Sequence, residues 1–360
     1  MKKKIFVRSP CLSQSGYGEQ SRFALRALRS KEDIFDIYVQ PINWGKTGWL
    51  WEDNDFRQWV DEKIEKTQIA SSNNTLMPDI SLQITIPNEF EKLAPVNIGY
   101  TAGIETTHVA PLWLQKGNEM DKILVVSQHA KDTYVNTQAT AQDNQGNTFP
   151  YKLETPVEVV HERTVIPTPE SIDALKLTTD FNFLVVGQYG PRKNMHNTIR
   201  WWVEEFIDQD VGLILKTSMV NNSILDRNKI RNQVSEILSK YKNRKCKVYI
   251  LHGDLSASQM AGLYTNDKVK CLINIAHGEG FGLPLFEAAS LGLPIITVPW
   301  SGQIDFLKHD GVSYFTEVEY ALKAVQKENV WKDVIQEGSM WAYADQGSYK
   351  MALRHVRNNW

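Results

Sequence analysis

The segment that decides the fold reads His277-Gly278-Glu279-Gly280-Phe281-Gly282-Leu283-Pro284-Leu285-Phe286-Glu287-Ala288 and follows the apolar run of residues 269–275. An apolar strand, a glycine-rich turn and a proline at a helix start are typical of a parallel α/β sheet. The first N–H groups of such a helix lack partners within it, and its dipole adds about half a positive charge. The segment therefore predicts an anion site, suited to a phosphate.

Two carboxylates accompany this predicted phosphate site. Glu279 stands on the turn, and Glu287 stands roughly one turn into the helix that follows. A carboxylate repels a phosphate, but it accepts hydrogen bonds from the hydroxyl groups of a sugar or a ribose. The pair therefore predicts a ligand that carries both phosphate and hydroxyl groups.

Glu279 and Glu287 resemble the Glu-x7-Glu motif of retaining glycosyltransferases of family four (glycosyl transferases group 1), which have the GT-B fold. The resemblance continues through Gly292-Leu293-Pro294-Ile295-Ile296 and Gly302, and it covers residues 183–306. It implies an α/β fold of two doubly wound Rossmann-like domains facing a cleft. It also implies that Glu279 binds donor-sugar hydroxyls, that Glu287 holds the ribose, and that the amides of Gly280, Phe281, Gly282 and Leu283 hold the pyrophosphate.

The rest of the chain agrees with this architecture, because short apolar runs alternate with helical stretches in both halves. We predict an N-terminal acceptor-side domain over residues 1–166 and a C-terminal nucleotide-sugar domain over residues 167–335. Pro167 and Pro169 mark the hinge, after a polar connecting segment at residues 140–154. A last helix, predicted for residues 343–359 within the segment 336–360, is expected to return to the N-terminal domain.

Cations for the pyrophosphate are predicted from the loop after the strand at residues 183–186. The resemblance implies that Lys193 matches the lysine of the family, whereas Gln188 stands where the family has an arginine. Arg192 is a candidate to replace that arginine, so which of Arg192 and Lys193 meets the phosphate stays open. Lys216, at the end of another predicted strand, is the third candidate. One cation about 4 Å from a phosphate oxygen contributes on the order of 4 kcal/mol before desolvation.

The N-terminal half carries weaker signals. Gly16 and Gly18 lie in a loop that resembles the family's glycine loop against the donor phosphates, although a helix cap explains the same residues. His108 follows another predicted strand, where the family often has a histidine near the donor sugar, and Glu105 is a second candidate for the cleft. Trp44 and Trp49 are candidates to stack on an acceptor, since aromatic faces stack on sugars or bases.

Metal and disulfide sites are not expected. Asp53-Asn54-Asp55 matches the Asp-x-Asp metal motif of another glycosyltransferase architecture, but a turn or helix cap is the preferred interpretation. The three cysteines form no Cys-x-x-Cys pair, which indicates a reducing compartment. The apolar run after the N-terminal lysines is too short for a signal peptide, and no stretch is long enough for a membrane helix. We expect a cytoplasmic protein.

The predicted function is metal-independent, retaining transfer of a sugar from a nucleotide-diphosphate sugar to a hydroxyl acceptor, without a cofactor. A glycan or lipid acceptor is favoured. One alternative is a phage-type enzyme acting on hydroxymethylated DNA bases, because residues 8–18 and 44–49 resemble glycosyltransferases of tailed phages and residues 227–247 are strongly basic. The formal net charge of −2 argues against DNA, and a solvated helix face explains the basic run. A non-catalytic sugar-nucleotide-binding scaffold is the other alternative, and the oligomeric state stays open.

Overall fold

The computed structural model describes residues 2–360 and divides the chain into two compact units. The first unit runs to Arg163 and also includes Val325–Ser339, and the second comprises Thr164–Ala324 and Met340–Trp360. The chain therefore crosses between the units more than once.

The first unit is a parallel sheet in the strand order β2-β1-β3-β4-β5-β8, with a β6–β7 hairpin beside it. Its elements are β1 (Lys3–Ser9), α1 (Gly16–Arg29), β2 (Phe35–Pro41), α2 (Asp55–Ser72), β3 (Ile80–Ile84), β4 (Val96–Thr101), α3 (Pro111–Gly117), β5 (Lys122–Val125), α4 (Gln128–Asn136), β6 (Gln138–Gln142), β7 (Thr148–Lys152) and β8 (Val157–Val159).

The second unit repeats this plan in the strand order β11-β10-β9-β12-β13-β16. Its elements are β9 (Asn182–Val186), α5 (Met195–Phe206), β10 (Gly212–Lys216), α6 (Ile224–Leu238), β11 (Lys247–Leu251), α7 (Ala257–Tyr264), β12 (Val269–Asn274), α8 (Leu283–Ser290), β13 (Ile295–Thr297), α9 (Ile304–Leu307), β14 (Lys308–His309), β15 (Val312–Ser313), β16 (Thr316–Glu317), β17 (Tyr320–Ala324), β18 (Met340–Ala344) and α10 (Gln346–Asn358). Strands β17 and β18 form an antiparallel pair.

The sheet of the second unit is covered on both faces, as its apolar strands predict. Successive side chains of a strand point to opposite faces. In β9, Phe183 and Val185 accordingly pack in one buried cluster, whereas Leu184 packs in the other. Each cluster also contains helical side chains, with Trp202 of α5 in the first and Leu285 of α8 in the second. The predicted α/β class with two doubly wound sheets is confirmed.

The unit boundaries differ from the predicted domains. Helix α10 belongs to the second unit, not the first, because Tyr349 and Leu353 are completely buried in the cluster around Phe183. The segment Val325–Ser339 joins the first unit instead, where the indole N–H of Trp113 donates to the backbone oxygen of Asp333 at 2.9 Å. Residues 340–344, expected in part to begin the last helix, form β18.

Two elements of the first unit were not predicted in full, the β6–β7 hairpin and the long helix that follows the Asp-x-Asp sequence. The polar residues 140–154 lie largely in the β6–β7 hairpin, because Asp143 closes its turn by accepting from the backbone of Gln145 and Asn147. Helix α2 begins after Asn54, whose side chain accepts from Arg57 N at 2.9 Å. Helix α2 is the longest helix of this unit and carries charged side chains along its length. Among residues 2–360, no helix is long and apolar enough to cross a membrane.

The packing of α10 gives a stability prediction. Leu353→Ala removes a fully buried side chain and is expected to lower the free energy of unfolding by about 2 to 5 kcal/mol. Met351 lies on the same helix with 57% of its surface exposed, so Met351→Ala is expected to change it by less than about 0.5 kcal/mol. Urea unfolding of both variants measures the difference. Equal stabilities would contradict the docking of α10 in this core.

Candidate active site

The turn between β12 and α8 has the backbone that the sequence predicts. Gly282 precedes α8 with φ of +98°, a left-handed conformation that favours glycine, and no side chain caps this helix. Pro284 lies in the first helical turn, where it has no N–H to satisfy. The ring of Phe281 packs against Phe286 and Phe306 at centroid distances of 5.3 and 5.0 Å. The buried ring of Phe281 is therefore part of an aromatic cluster.

Glu279 is a buried carboxylate held by several donors. Lys193 Nζ lies 2.5 Å from Oε1 and 2.7 Å from Oε2 of Glu279, and Arg192 Nη1 lies 3.2 Å from Oε2. Asn274, the last residue of β12, donates its amide to Oε1 at 2.7 Å. Only 4% of the surface of Glu279 is exposed, so its charge depends on these partners rather than on water.

The same contacts set the protonation state of Glu279. Burial alone would raise the pKa of this carboxyl, because it removes water from the charged form. The charges of Lys193 and Arg192 and the hydrogen bonds from Lys193 and Asn274 outweigh burial and lower the pKa to about 2. Glu279 is therefore an anion at every pH near neutrality and can only accept hydrogen bonds.

Arg192 and Lys193 reach Glu279 because a short 3-10 turn, Pro191–Lys193, follows β9. Backbone and side chain both tie this turn to the glycine-rich segment: His277 N donates to the oxygen of Arg192 at 2.8 Å, and Arg192 Nη1 donates to the oxygen of Gly278 at 2.7 Å. Gln188 lies elsewhere, with its amide donating to the oxygen of Met219. Of the two cations, Lys193 is the more buried, with 14% of its side chain exposed against 32% for Arg192.

A second loop, after β13, supports the turn from behind. Ser301 Oγ accepts from Glu279 N at 2.8 Å, and Gly302 N donates to the oxygen of Glu279 at 2.9 Å. A Cβ atom on Gly302 would lie 1.9 Å from the oxygen of Gly280, so the two loops meet at this distance only because residue 302 is glycine. Ser301 has φ of +74°, which costs a non-glycine residue about 1 kcal/mol or more. The loop thus accepts strain to hold Glu279.

Glu287 is held by a different partner. The hydroxyl of Tyr264, at the end of α7, donates to Glu287 Oε2 at 2.9 Å. Burial and the nearby Glu287 raise the pKa of Tyr264 well above its ordinary value, so the phenol stays protonated and remains a donor. Tyr264 therefore orients the carboxylate that the resemblance assigns to the ribose.

Lys216 belongs to a neighbouring loop contact. Its ammonium donates to the oxygen of Gly253 at 2.6 Å, and burial lowers its pKa. The loops beside it are pinned by Asp226, which accepts from the backbone of Met219 at 2.9 Å and pairs with His252 at 3.0 Å. The structure thus places Lys216 at the carboxyl edge of the sheet, in a contact separate from the Glu279 cluster.

His277 was missed as a site-building residue. Its Nδ1 donates to the oxygen of Ala342 at 2.6 Å, Ala342 N donates to its oxygen at 3.0 Å, and its ring stacks on Trp341 at 4.6 Å. Burial lowers the pKa of this imidazole, so it is neutral with the proton on Nδ1. His277 therefore fastens the glycine-rich turn to β18, a contact that nothing in the local sequence indicates. Asn274 and Ser301 were missed too, although a polar end to an apolar strand was a visible signal.

The predicted residues of the loop after β1 prove to build local structure. Helix α1 begins at Gly16, and the hydroxyl of Ser15 caps it by accepting from Gly18 N at 3.1 Å. Between the two glycines, Tyr17 is buried and pairs with the hydroxyl of Thr101 at 2.7 Å. Trp44 packs against Tyr17 with the two rings tilted by 35° and their centroids 4.2 Å apart, and it is half-buried, so its ring supports this loop. Contact of Gly16 and Gly18 with a phosphate stays a prediction.

His108 and Glu105 share the loop after β4. His108 is exposed, and its Nδ1 lies 2.9 Å from the hydroxyl of Thr107, whereas Glu105 is half-buried. His108 borders an open cavity of about 340 Å³ whose other walls come from the start of β6 and from residues 336–339. The cavity gives His108 room for a ligand, and its role stays a prediction.

The Asp-x-Asp sequence and the basic run have structural explanations. Asn54 caps α2 as predicted, and Asp55 pairs with Arg29 at 2.8 Å. In the basic run, α6 buries Ile230 and Val234 and exposes Arg227, Lys229 and Arg231 to solvent. This arrangement fits the solvated helix face.

Comparisons with known proteins agree with the site. Residues 168–328 match the family model for glycosyl transferases group 1. These findings support the family predicted from the Glu279 motif. The match spans less than half of the chain, and it contains Arg192, Lys193, Glu279 and Glu287. No curated protein matches the sequence.

Solved structures extend the likeness to both units. A sucrose-phosphate synthase from Thermosynechococcus elongatus has a TM-score of 0.56 and 12% identity, covering 99% of this chain and 90% of that one. An E. coli trehalose-6-phosphate protein bound with UDP-2-fluoro glucose has a TM-score of 0.55 and 12% sequence identity, and the match covers 99% of this chain and 91% of that one. Anabaena HepE in complex with UDP and glucose has a TM-score of 0.54 and 11% sequence identity, and the match covers 88% of this chain and 86% of that one. At these identities the likeness establishes the fold, which is GT-B as predicted.

The lowered pKa of Glu279 gives a pH prediction. A carboxyl whose folded pKa lies below its ordinary value of about 4.3 stabilises the fold above that pH, and the contribution is lost as the pH falls toward 2. The wild type is expected to exceed Glu279→Gln in the free energy of unfolding by an amount that depends on pH. This difference is expected to fall by on the order of 3 kcal/mol as the pH drops from about 6 to the folded pKa.

Urea unfolding over the acid range measures this advantage. Glu236→Gln, at an exposed position on α6, serves as the control and is expected to track the wild type at every pH. An advantage of Glu279 that does not change with pH would contradict its pairing with Lys193 and Arg192.

Proposed function

We propose that this protein is a retaining glycosyltransferase that moves a sugar from a nucleotide-diphosphate sugar to a hydroxyl acceptor without a metal ion. The observation that carries the proposal is the meeting of Lys193, Arg192 and Glu279 at the glycine-rich start of α8. The family match supports sugar transfer, and the fold supports it as well. A cation pair, a helix start and an anionic acceptor of hydrogen bonds together suit a ligand that is phosphate at one end and sugar at the other.

Charge balance favours a diphosphate at this place. Two cations surround one carboxylate, so the cluster of Arg192, Lys193 and Glu279 has a net charge of +1. The uncapped start of α8 adds about half a positive charge to the same turn. A pyrophosphate that binds here meets two cationic side chains and a helix start, which is the basis for proposing metal independence.

We further propose that Lys193, Arg192 and Glu279 change their hydrogen-bond partners when the donor binds. As the pyrophosphate binds, Lys193 or Arg192 donates to phosphate oxygens in place of some of its hydrogen bonds to Glu279. The carboxylate of Glu279 then accepts hydrogen bonds from the donor-sugar hydroxyls. Asn274 and the loop at Ser301 keep Glu279 in place during this exchange, since they hold its side chain and backbone independently of the cations. Glu287, oriented by Tyr264, is proposed to accept from the ribose hydroxyls.

The proposed reaction needs no enzymic nucleophile. The bond from the anomeric carbon to the diphosphate oxygen breaks, and its electron pair leaves with the diphosphate. The acceptor oxygen forms the new bond on the same face of the sugar, and its proton passes to the departing phosphate oxygen. Charge grows on the diphosphate as the bond breaks, so Lys193 and Arg192 stabilise the transition state more than the ground state.

Glu279→Gln is expected to lower turnover by about two orders of magnitude or more, because it removes the anion that positions both the cations and the donor sugar. The measurement is release of nucleoside diphosphate, starting with UDP-glucose because two structural relatives carry UDP ligands. Glu236→Gln is the matched control on the surface. A folded Glu279→Gln protein with wild-type turnover would refute the role of Glu279.

Glu287→Gln is expected to raise the donor KM about tenfold, equivalent to about 1.4 kcal/mol, and to change kcat less. Tyr264→Phe removes one hydrogen bond that orients Glu287 and is expected to raise KM by a smaller factor in the same direction. Steady-state kinetics at varied donor concentration separate the two constants. A fall in kcat at unchanged KM in both variants would place Glu287 at the reacting bond instead of at the ribose.

A further inference from the structure

Two tryptophans of the first unit are exposed on the loop between β2 and α2. Trp49 has 59% of its surface exposed and Trp51 has 83%, whereas Trp59 and Trp113 in the same unit are 6% and 0% exposed. Indole rings are mostly buried in folded proteins. An exposed pair on one short loop is therefore available to a ligand rather than to the core.

The loop that carries them is fixed. Gln14 N donates to the oxygen of Gly48 at 2.9 Å, and Leu50 N donates to the oxygen of Leu12 at 2.7 Å, so residues 48–50 pair with the loop after β1. A hydroxyl contact between Ser13 and Thr47 at 2.8 Å adds to this pairing. A loop held in this way loses little conformational freedom when a ligand binds.

The pairing of this loop predicts which way the two indoles point. Around the antiparallel bridge between Ser13 and Trp49 the chain is extended, and alternate side chains of an extended chain point the same way, roughly 7 Å apart. Leu50 points inward, where it lines a small cavity with Leu12 and Phe56. This alternation predicts that the rings of Trp49 and Trp51, both exposed, lie on the same side of the loop. The loops after β1 and β2 also lie at the carboxyl edge of a parallel sheet, where ligands of such sheets bind.

The charges beside the rings select the ligand. Asp53 follows Trp51 on the same alternation and is exposed, and its Oδ1 accepts from the side-chain amide of Gln58 at 3.3 Å, whereas Glu52 lines the small cavity with Leu50. Carboxylates repel the phosphates of a nucleic acid and an anionic membrane surface, but they accept hydrogen bonds from hydroxyl groups. Apolar ring faces next to hydroxyl acceptors match a sugar, which has C–H groups on its faces and hydroxyls at its edge.

We propose that Trp49 and Trp51 form a platform on which the sugar rings of a carbohydrate acceptor stack, with Asp53 accepting from its hydroxyls. The assignment of this carbohydrate as the acceptor rests on the proposed function, whereas carbohydrate binding to the platform does not. The acceptor class is thereby narrowed to a glycan or the glycan part of a larger molecule. Trp44, half-buried on Tyr17, supports the loop from within.

The test is isothermal titration of the full-length protein, without nucleotide, with hexasaccharides of α-linked glucose, β-linked glucose and N-acetylglucosamine. At least one is expected to bind, and Trp51→Ala and Trp49→Ala are each expected to weaken that binding about tenfold or more, equivalent to about 1.4 kcal/mol. Trp331 is 62% exposed elsewhere in the first unit, so Trp331→Ala is the matched control and is expected to bind as the wild type does.

Other outcomes overturn the proposal. These are binding of no hexasaccharide at millimolar concentration, equal weakening in Trp331→Ala, or Trp51-dependent binding only to a duplex with hydroxymethylcytosine or to phosphatidylglycerol vesicles. A thermal shift with nucleoside diphosphates reports on the Glu279 site separately. Hexasaccharide binding without any thermal shift by a nucleoside diphosphate would refute the proposed function and leave the platform. A thermal shift by a nucleoside diphosphate without hexasaccharide binding would refute the platform and leave the proposed function.

Discussion

The buried negative charge of Glu279 is the constraint on which the second unit depends. A carboxylate with 4% exposure is tolerated only with close cations and donors, and these come from three separate loops of the sheet. Lys193 and Arg192 come from the loop after β9, Asn274 from the end of β12, and Ser301 from the loop after β13. Adjacent parallel strands end at one edge, so residues far apart in sequence meet around one charge. The contacts that hold the loops together at this edge of the sheet are therefore the same contacts that form the candidate site.

Much of this could be predicted from the sequence because the signals are local. The glycine-rich turn with its two carboxylates indicates both the strand-to-helix step and the ligand class, and strands alternate with helices in both units as predicted. The contact between Lys193 and Glu279 could not be predicted, since spacing along the chain gives no distance between loops 86 residues apart. His277 was missed for the same reason, because its role depends on β18. Asn274 had a visible signal, the polar end of an apolar strand, but only the structure shows its contact with Glu279.

The C-terminal part of the chain shows where pattern reasoning fails. Residues 325–339 are predominantly polar, yet Val334 and Asp333 dock beside Trp113 of the first unit. The amphipathic pattern predicts helix α10, but it does not say which core receives its apolar face. Tyr349 and Leu353 fill a gap beside Trp201 and Trp202, and only the assembled cluster decides this. In the first unit, likewise, the exposure of Trp49 and Trp51 follows from the pairing of residues 48–50 with the loop after β1.

The central claim is that the cluster around Glu279 binds a nucleoside diphosphate through fixed cations and a helix start. Thermal unfolding in EDTA with UDP, GDP, ADP and dTDP and their glucose conjugates tests it most directly. We predict that at least one nucleotide stabilises the wild type, by about 2.7 kcal/mol at a ligand concentration about 100 times its dissociation constant. The same nucleotide is predicted to give little or no shift in Lys193→Met. No shift with any nucleotide, or an undiminished shift in Lys193→Met, would contradict the account.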